Sequence, residues 1–91
     1  MKNFRENNSM FIEKVICMLK ENPDIQYDEL MYNIGELISE NEYHSQLDSQ
    51  YIGLTLMILS NLHDDFDKTI TNLEIIRGTA YEEANLQKGD D

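Results

Sequence analysis

Residues 27–40 read YDELMYNIGELISE, and this stretch decides the fold class. Its apolar residues recur at intervals of three and four, and they are Tyr27, Leu30, Met31, Ile34, Leu37 and Ile38. Such spacing puts them on one face of an α-helix. Gly35 costs about 1 kcal/mol relative to alanine inside a helix, so we interpret it as a point of close approach between helices. The stretch predicts an amphipathic helix with one face in a core.

Two neighbouring stretches show helical patterns of their own. The first runs from about Ser9 to Glu21, with Asn8 or Ser9 as its cap, and it ends before Pro23 because the residue preceding a proline is pushed out of the helical conformation. Another runs from about Asp48 to His63 and is apolar most of the way round. A helix of that kind is either central to a core or buried in a partner, so we expect it to be the central helix.

The last helical pattern starts at Asp64 or Asp65 and leaves one alternative open at Gly78. Gly78 either lies within a long helix or ends it. In the second case Thr79 and Glu82 form a capping box for a short fifth helix. The patterns together predict an all-α fold, a compact bundle of four or five helices with short loops.

Length and composition are those of one small globular domain. The 91 residues include 41% apolar and 27% charged residues, so we expect a single helical domain over 1–91 with frayed ends at 1–8 and 87–91. No stretch approaches the ~20 apolar residues of a membrane span, and no secretory signal is evident. We therefore predict a cytoplasmic protein without membrane contacts, and we interpret the single cysteine, Cys17, as a core residue.

The distribution of charge is the most informative feature for function. The net charge is −11, and no lysine or arginine occurs between Asn22 and Asp67. That stretch holds ten carboxylates: Asp24, Asp28, Glu29, Glu36, Glu40, Glu42, Asp48, Asp64, Asp65 and Asp67. Such acidity repels phosphate backbones, so no direct nucleic-acid ligand is expected. A self-repelling surface destabilises the fold modestly, which is easiest to understand if a cationic partner meets it; plain solubility is the alternative.

The predicted partner-binding residues follow from this charge pattern. Glu29, Glu36 and Glu40 fall on the side of the second helix away from its apolar stripe. Tyr32 and Tyr43 lie outside the apolar stripes among these acids, and tyrosine is enriched at the hot spots of protein interfaces. The complete predicted set is Glu29, Tyr32, Glu36, Glu40, Glu42, Tyr43, Asp48, Asp64, Asp65 and Asp67.

The sequence offers no convincing catalytic or metal site. His63-Asp64 with His44 resembles a phosphohydrolase metal set only as a common dipeptide, and the segment 63–67 lacks the alternating ligands and glycine of a calcium loop. We predict no enzyme activity, no metal and no cofactor. Asp64 or Asp65 is better interpreted as a helix N-cap, with His63 closing the preceding helix.

Residues 19–30, LKENPDIQYDEL, resemble the opening of winged helix-turn-helix domains. The resemblance implies that the first two helices meet through a tight turn. After Gly35 that family turns and opens a basic recognition helix, whereas this chain continues with Glu36, Glu40 and Glu42. DNA binding is therefore not implied, because a recognition helix anchors on phosphates through lysine or arginine.

Three functional hypotheses remain. The first is an acidic inhibitor of a basic partner protein, such as an immunity protein, antitoxin or phage-type inhibitor of a toxin or nucleic-acid-acting enzyme. The alternative is a homo-oligomeric scaffold or ligand-sequestering protein, dimeric or larger, assembled through the apolar third helix. A secretion or assembly chaperone that holds an apolar client segment is the third.

Overall fold

The computed structural model describes residues 6–40 and 47–90, with side chains over 7–39 and 47–85. It contains four helices and, within these ranges, no strand: α1 (Glu6–Glu21), α2 (Tyr27–Glu40), α3 (Ser49–Leu59) and α4 (Phe66–Asp90). The predicted all-α bundle is confirmed. Gly78 lies inside α4, and the Thr79 hydroxyl donates to the Ile75 carbonyl at 3.2 Å within that helix. Thr79 therefore caps no fifth helix.

Helix α2 spans the predicted residues and α1 ends at the predicted Glu21, whereas the other helix boundaries differ from the predicted ones. Helix α1 begins at Glu6, and its first turn includes residues that we expected to fray. Helix α3 ends at Leu59, because residues 60–64 form a turn in which Leu62 N donates to Leu59 O at 3.0 Å. His63 lies in this turn and does not close a helix.

Two aspartates fix the starts of α3 and α4. The Asp48 carboxylate accepts from Gln50 N at 2.9 Å, and the Asp65 carboxylate accepts from Lys68 N at 3.0 Å. Both are N-cap contacts, which satisfy amide groups that have no partner within the helix. The N-cap prediction is confirmed for Asp65.

Helix α4 is the element that holds the bundle together, because it packs against both α1 and α3. It runs antiparallel to α1, since Lys20 lies beside Glu74 and Glu13 beside Arg77. The largest fully buried side chains come from all four helices and the turn after α3, and they are Ile12, Val15, Leu19, Leu30, Leu59, Leu62, Leu73, Thr55 and Thr69.

Contacts between residues far apart in sequence define the two ends of the bundle. At one end the amide of Asp48 donates to Asn8 Oδ1 at 2.8 Å, so the starts of α1 and α3 meet there. At the other end His63 Nε2 lies 3.2 Å from the Ile25 carbonyl oxygen, which joins the turn before α2 to the turn before α4. Helices α1 and α3 therefore run in one direction and α4 in the other.

The prediction that the third helix is central was wrong. Helix α3 buries only Tyr51, Thr55 and Leu59, which lie four residues apart along one side. Met57 on its opposite side is 67% exposed. Because a single stripe of this short helix faces the core, the rest of its apolar surface lies at or near the protein surface.

Two further sequence interpretations are corrected. Gly35 is exposed, and among the described residues no atom from another element comes within 4 Å of the position that a Cβ would take, so none of the described helices approaches it closely. Cys17 is exposed on α1 and is not a core residue. The helical periodicity predicted burial of Cys17 incorrectly, because the apolar residues of α1 cover a wider arc of the helix than the neighbouring elements do.

No helix in the described ranges has the length and apolar character to cross a membrane.

The hydroxyl of Tyr51 links α3 to α4 by donating to Glu83 Oε1 at 2.5 Å. Burial, followed by this contact and the negative charges of Glu83 and Asp48, raises the pKa of Tyr51 to about 12. The unfolded chain has the ordinary tyrosine pKa of about 10. The folded state therefore keeps a proton that the unfolded state loses, so this stabilisation is complete below pH ~10 and falls as pH rises towards ~12.

We expect Tyr51→Phe to remove this pH dependence. Urea unfolding at pH ~9 and pH ~11 measures the free energy of unfolding on both sides of the tyrosine transition. The native chain should lose more stability between the two pH values than the Tyr51→Phe variant does. Tyr81→Phe, at an exposed position on α4, is the control and should behave like the native chain. Equal losses in the native chain and Tyr51→Phe would contradict the assignment.

Candidate protein-binding surface

The outer side of α2 carries three exposed residues that we call the α2 acidic face: Glu29, Tyr32 and Glu36. They lie at i, i+3 and i+7, which places them on one side of the helix. The opposite side is fixed in the core by Leu30 and Ile34, which are 0% and 2% exposed. Burial of that stripe sets the rotation of α2, so the acidic face is directed to solvent by the packing of the helix.

Tyr32 occupies the middle of this face and is 66% exposed. Its hydroxyl donates to Glu36 Oε2 at 3.4 Å, a long contact at the surface. The ring therefore has a carboxylate one turn away in each direction, from Glu29 and Glu36. A large apolar ring with acidic groups on both sides offers contact area together with charge-assisted hydrogen bonding.

No cation of α2 neutralises the α2 acidic face, because the helix contains no lysine or arginine. Among the described side chains, both ion pairs join α1 to α4, with Lys20 on Glu74 and Arg77 on Glu13. Neither of these ion pairs includes a carboxylate of α2. Exposed charges of one sign increase the magnitude of the local electrostatic potential and attract charges of the opposite sign. Salt screens this attraction over a Debye length of about 8 Å.

The structure divides the other predicted site residues between two ends of the bundle. Asp48 lies at the start of α3 and Asp64 beyond its end, separated by 11 helical residues, or about 16 Å. Asp64 and Asp65 lie in the turn that contacts Ile25, near the start of α2, and Asp67 lies in the first turn of α4. All four are exposed. Asp48 is thus remote from Asp64 and Asp65, whereas these two approach the end of α2 that carries Glu29.

Part of the acidity has a structural explanation. Asp48 and Asp65 cap helices, and Asp28 and Glu29 lie in the first turn of α2. Negative charge at a helix N-terminus is favourable because it meets the positive end of the helix dipole. Glu36 lies in the body of α2, where neither capping nor the dipole accounts for it. Among the α2 carboxylates with described side chains, Glu36 is thus the one that neither effect explains, and it lies beside Tyr32 on the α2 acidic face.

For three predicted site residues the side chain lies outside the described part of the chain. Glu40 ends α2, and its side chain lies outside the described residues. Glu42 and Tyr43 also lie outside the described residues. The register of α2 places position 40 four residues beyond Glu36, on the side where the α2 acidic face continues.

The described residues contain no group of three or more histidine, cysteine, aspartate or glutamate side chains arranged to hold a metal ion. A shallow polar depression of about 300 Å³ lies at the start of α4, lined by Asn61, Asp64, Asp65, Lys68, Thr69 and Asn72. It is open to solvent, whereas small-molecule sites usually enclose most of their ligand.

Sequence reasoning missed the charged side of the bundle between α1 and α4. Two ion pairs lie there, Lys20 with Glu74 and Arg77 with Glu13. The partners in each pair are more than fifty residues apart in sequence. The one signal in the sequence is the order of charges. An acid precedes a base on α1 and on α4, so an antiparallel arrangement of the two helices puts opposite charges beside each other.

Protein-family models, curated proteins and solved structures were compared with the chain, and none of them matched it.

Proposed function

We propose that this protein is a non-catalytic inhibitor that binds a basic partner protein through the α2 acidic face. The partner class is a toxin or a nucleic-acid-acting enzyme, as for an immunity protein, an antitoxin or a phage-type inhibitor. The observation that carries the proposal is the position of Glu29, Tyr32 and Glu36, exposed in line on a helix without a cation.

The physical basis is replacement of phosphate groups by carboxylates. A basic surface that binds nucleic acid presents lysine and arginine at phosphate spacing, and glutamates on a rigid helix can occupy part of it. Opposite net charges speed the encounter, and association slows as salt is added. Tyr32 supplies buried contact area once the surfaces meet, including stacking against arginine.

The test compares two charge reversals of equal size, Glu36→Lys on α2 and Glu82→Lys on α4. Both residues are exposed on helices, and each change raises the net charge by two units. The partner is isolated from the host at low salt, identified by mass spectrometry and purified, and its dissociation constant is measured for each variant. We expect Glu36→Lys to weaken binding about tenfold or more, and Glu82→Lys to change it much less.

Equal weakening by the two variants would contradict the proposal, because net charge and not the α2 acidic face would then control binding. Circular dichroism of both variants checks that the helices are retained. Inhibition is measured separately by titrating the partner's own activity with the native chain and with Glu36→Lys. A partner that binds without losing activity would show binding but not inhibition.

A second candidate function is a homo-oligomeric scaffold or ligand-sequestering protein assembled through α3. The observation that favours it is the exposure of Met57, 67%, on a helix whose eleven residues carry no charge. Exposed apolar surface of this kind is typical of interaction sites. Assembly through α3 would be lost in Met57→Glu and would strengthen as salt is added, because salt screens the repulsion between two negatively charged copies, whereas binding through the α2 acidic face weakens. For either function we propose a cytoplasmic site of action, which the single cysteine favours because no internal disulfide can form.

A further inference from the structure

One side of the bundle carries balanced charge, although the chain as a whole has a net charge of −11. We call it the α1–α4 face, and it consists of Glu13 and Lys20 on α1 with Arg77 and Glu74 on α4. Arg77 Nη1 lies 3.0 Å from Glu13 Oε1, and Lys20 Nζ lies 3.4 Å from Glu74 Oε2. Their side chains are between 41% and 61% exposed, so the pairs remain available to a second molecule.

The four charges form a pattern that is complementary to itself. On α1 the acid Glu13 precedes the base Lys20, and on α4 each faces a residue of opposite sign. A twofold rotation about an axis parallel to the helices lays α1 of one molecule over α4 of another. Glu13 then lies opposite Arg77 of the copy, and Lys20 lies opposite Glu74. Every charge meets its opposite, which is the requirement for an isologous interface.

Exposed apolar side chains on the same side agree with this arrangement. Met10 and Tyr81 are 44% and 57% exposed, and they line one shallow groove together with Glu13 and Arg77. The same rotation brings Met10 of each molecule against Tyr81 of the other, and methionine sulfur packs favourably at aromatic rings. A rotation about an axis across the helices would also pair opposite charges, but it would place Met10 opposite Pro23.

We propose that two copies of this chain associate through the α1–α4 face, with α1 of each copy lying on α4 of the other. The partner is a second copy because the charge pattern complements itself, and this face is the one where the contacts between copies are of opposite sign although the net charge is −11. This association goes beyond the proposed inhibition, since it uses neither the α2 acidic face nor the exposed side of α3.

The test is sedimentation equilibrium of the full chain from micromolar to millimolar concentration. The native chain should self-associate, and Lys20→Glu should weaken the association about tenfold or more, because two like-charge contacts are created with Glu74. Adding Glu74→Lys to Lys20→Glu should restore it, since the reversed pair keeps opposite charges facing each other both within and between molecules. If α1 lay on α1, the double variant would remain weakened, because position 20 would then repel Glu13.

Two further variants complete the test. Tyr81→Ala should weaken association while leaving all four charges in place. Met57→Glu, on the exposed side of α3, is the control and should leave association unchanged. The proposal is overturned if the native chain is monomeric throughout, if Lys20→Glu has no effect, if the double variant does not recover, or if Met57→Glu alone abolishes association. Circular dichroism verifies that every variant keeps its helices.

Discussion

Replacing Leu73 with alanine lowers the free energy of unfolding by about 3–4 kcal/mol, which is the expected cost of the lost methyl and methylene contacts together with the cavity left behind. Leu73 is 0% exposed, and it lies on α4, the helix that packs against both α1 and α3. Domains of this size are commonly stable by only about 5–15 kcal/mol. The variant should therefore unfold at a much lower urea concentration, with its cooperativity retained.

Ile75→Ala is the matched control, because Ile75 lies two residues further along the same helix and is 60% exposed. Its removal leaves no cavity, so its effect should stay within about 0.5 kcal/mol. Urea denaturation of both variants, followed by circular dichroism, gives the comparison. Similar losses for Leu73→Ala and Ile75→Ala would show that the assignment of the buried side of α4 is wrong.

The triple variant Gly35→Ala, Gly53→Ala, Gly78→Ala is expected to be more stable by about 2–3 kcal/mol, at slightly under 1 kcal/mol for each helical glycine. All three glycines are exposed within helices, and in the part of the chain that the structure describes no atom from another element lies within 4 Å of the position that a Cβ would take at any of them. Alanine therefore meets no steric cost, while the unfolded chain loses conformational freedom. For a domain of this size the melting temperature should rise by roughly 10–20 °C.

Thermal melting of the triple variant and of the three single variants measures the gain and its additivity. The control is Gln50→Ala, an exposed α3 residue that already favours the helix, and its change should stay below about 0.5 kcal/mol. A loss of stability at any single glycine would mean that a methyl group there meets a neighbour, contrary to the structure. The three glycines lie on different helices, and none has another element's atoms within 4 Å of its Cβ position among the described residues, so their gains should add.

The sequence predicted the helices well where one stripe of apolar residues faces the core, as in α2. It predicted α3 too long, because Leu62 continues the apolar pattern while the backbone has already turned after Leu59. It also placed the start of α1 too late. Asn8 is polar but only 6% exposed, since its side chain accepts from the amide of Asp48, forty residues away. A contact between such distant residues leaves no periodic signal in the sequence.

The candidate site was predictable in part for a similar reason. The exposure of Tyr32 and Glu36 follows from helical periodicity alone, and both were assigned to the outer side of α2. The separation of Asp48 from Asp64 follows from the predicted third helix, because the two lie at its opposite ends. Which of them lies near the start of α2 depends on the direction of α3 in the bundle, which composition does not reveal. A capping role for Asp48 could have been found from its position three residues before the apolar run that begins at Tyr51, as it was for Asp64 or Asp65.

The packing of α1 on α4 also constrains how the polypeptide reaches its native state during synthesis. Helix α1 has its main contact surface on α4, which is synthesised later, so a nascent chain interrupted before Phe66 lacks the element that packs against both α1 and α3. Its early helices must wait with exposed hydrophobic surface until α4 emerges, and closing so long a loop slows folding. That waiting period is when a chaperone would be most useful to this protein.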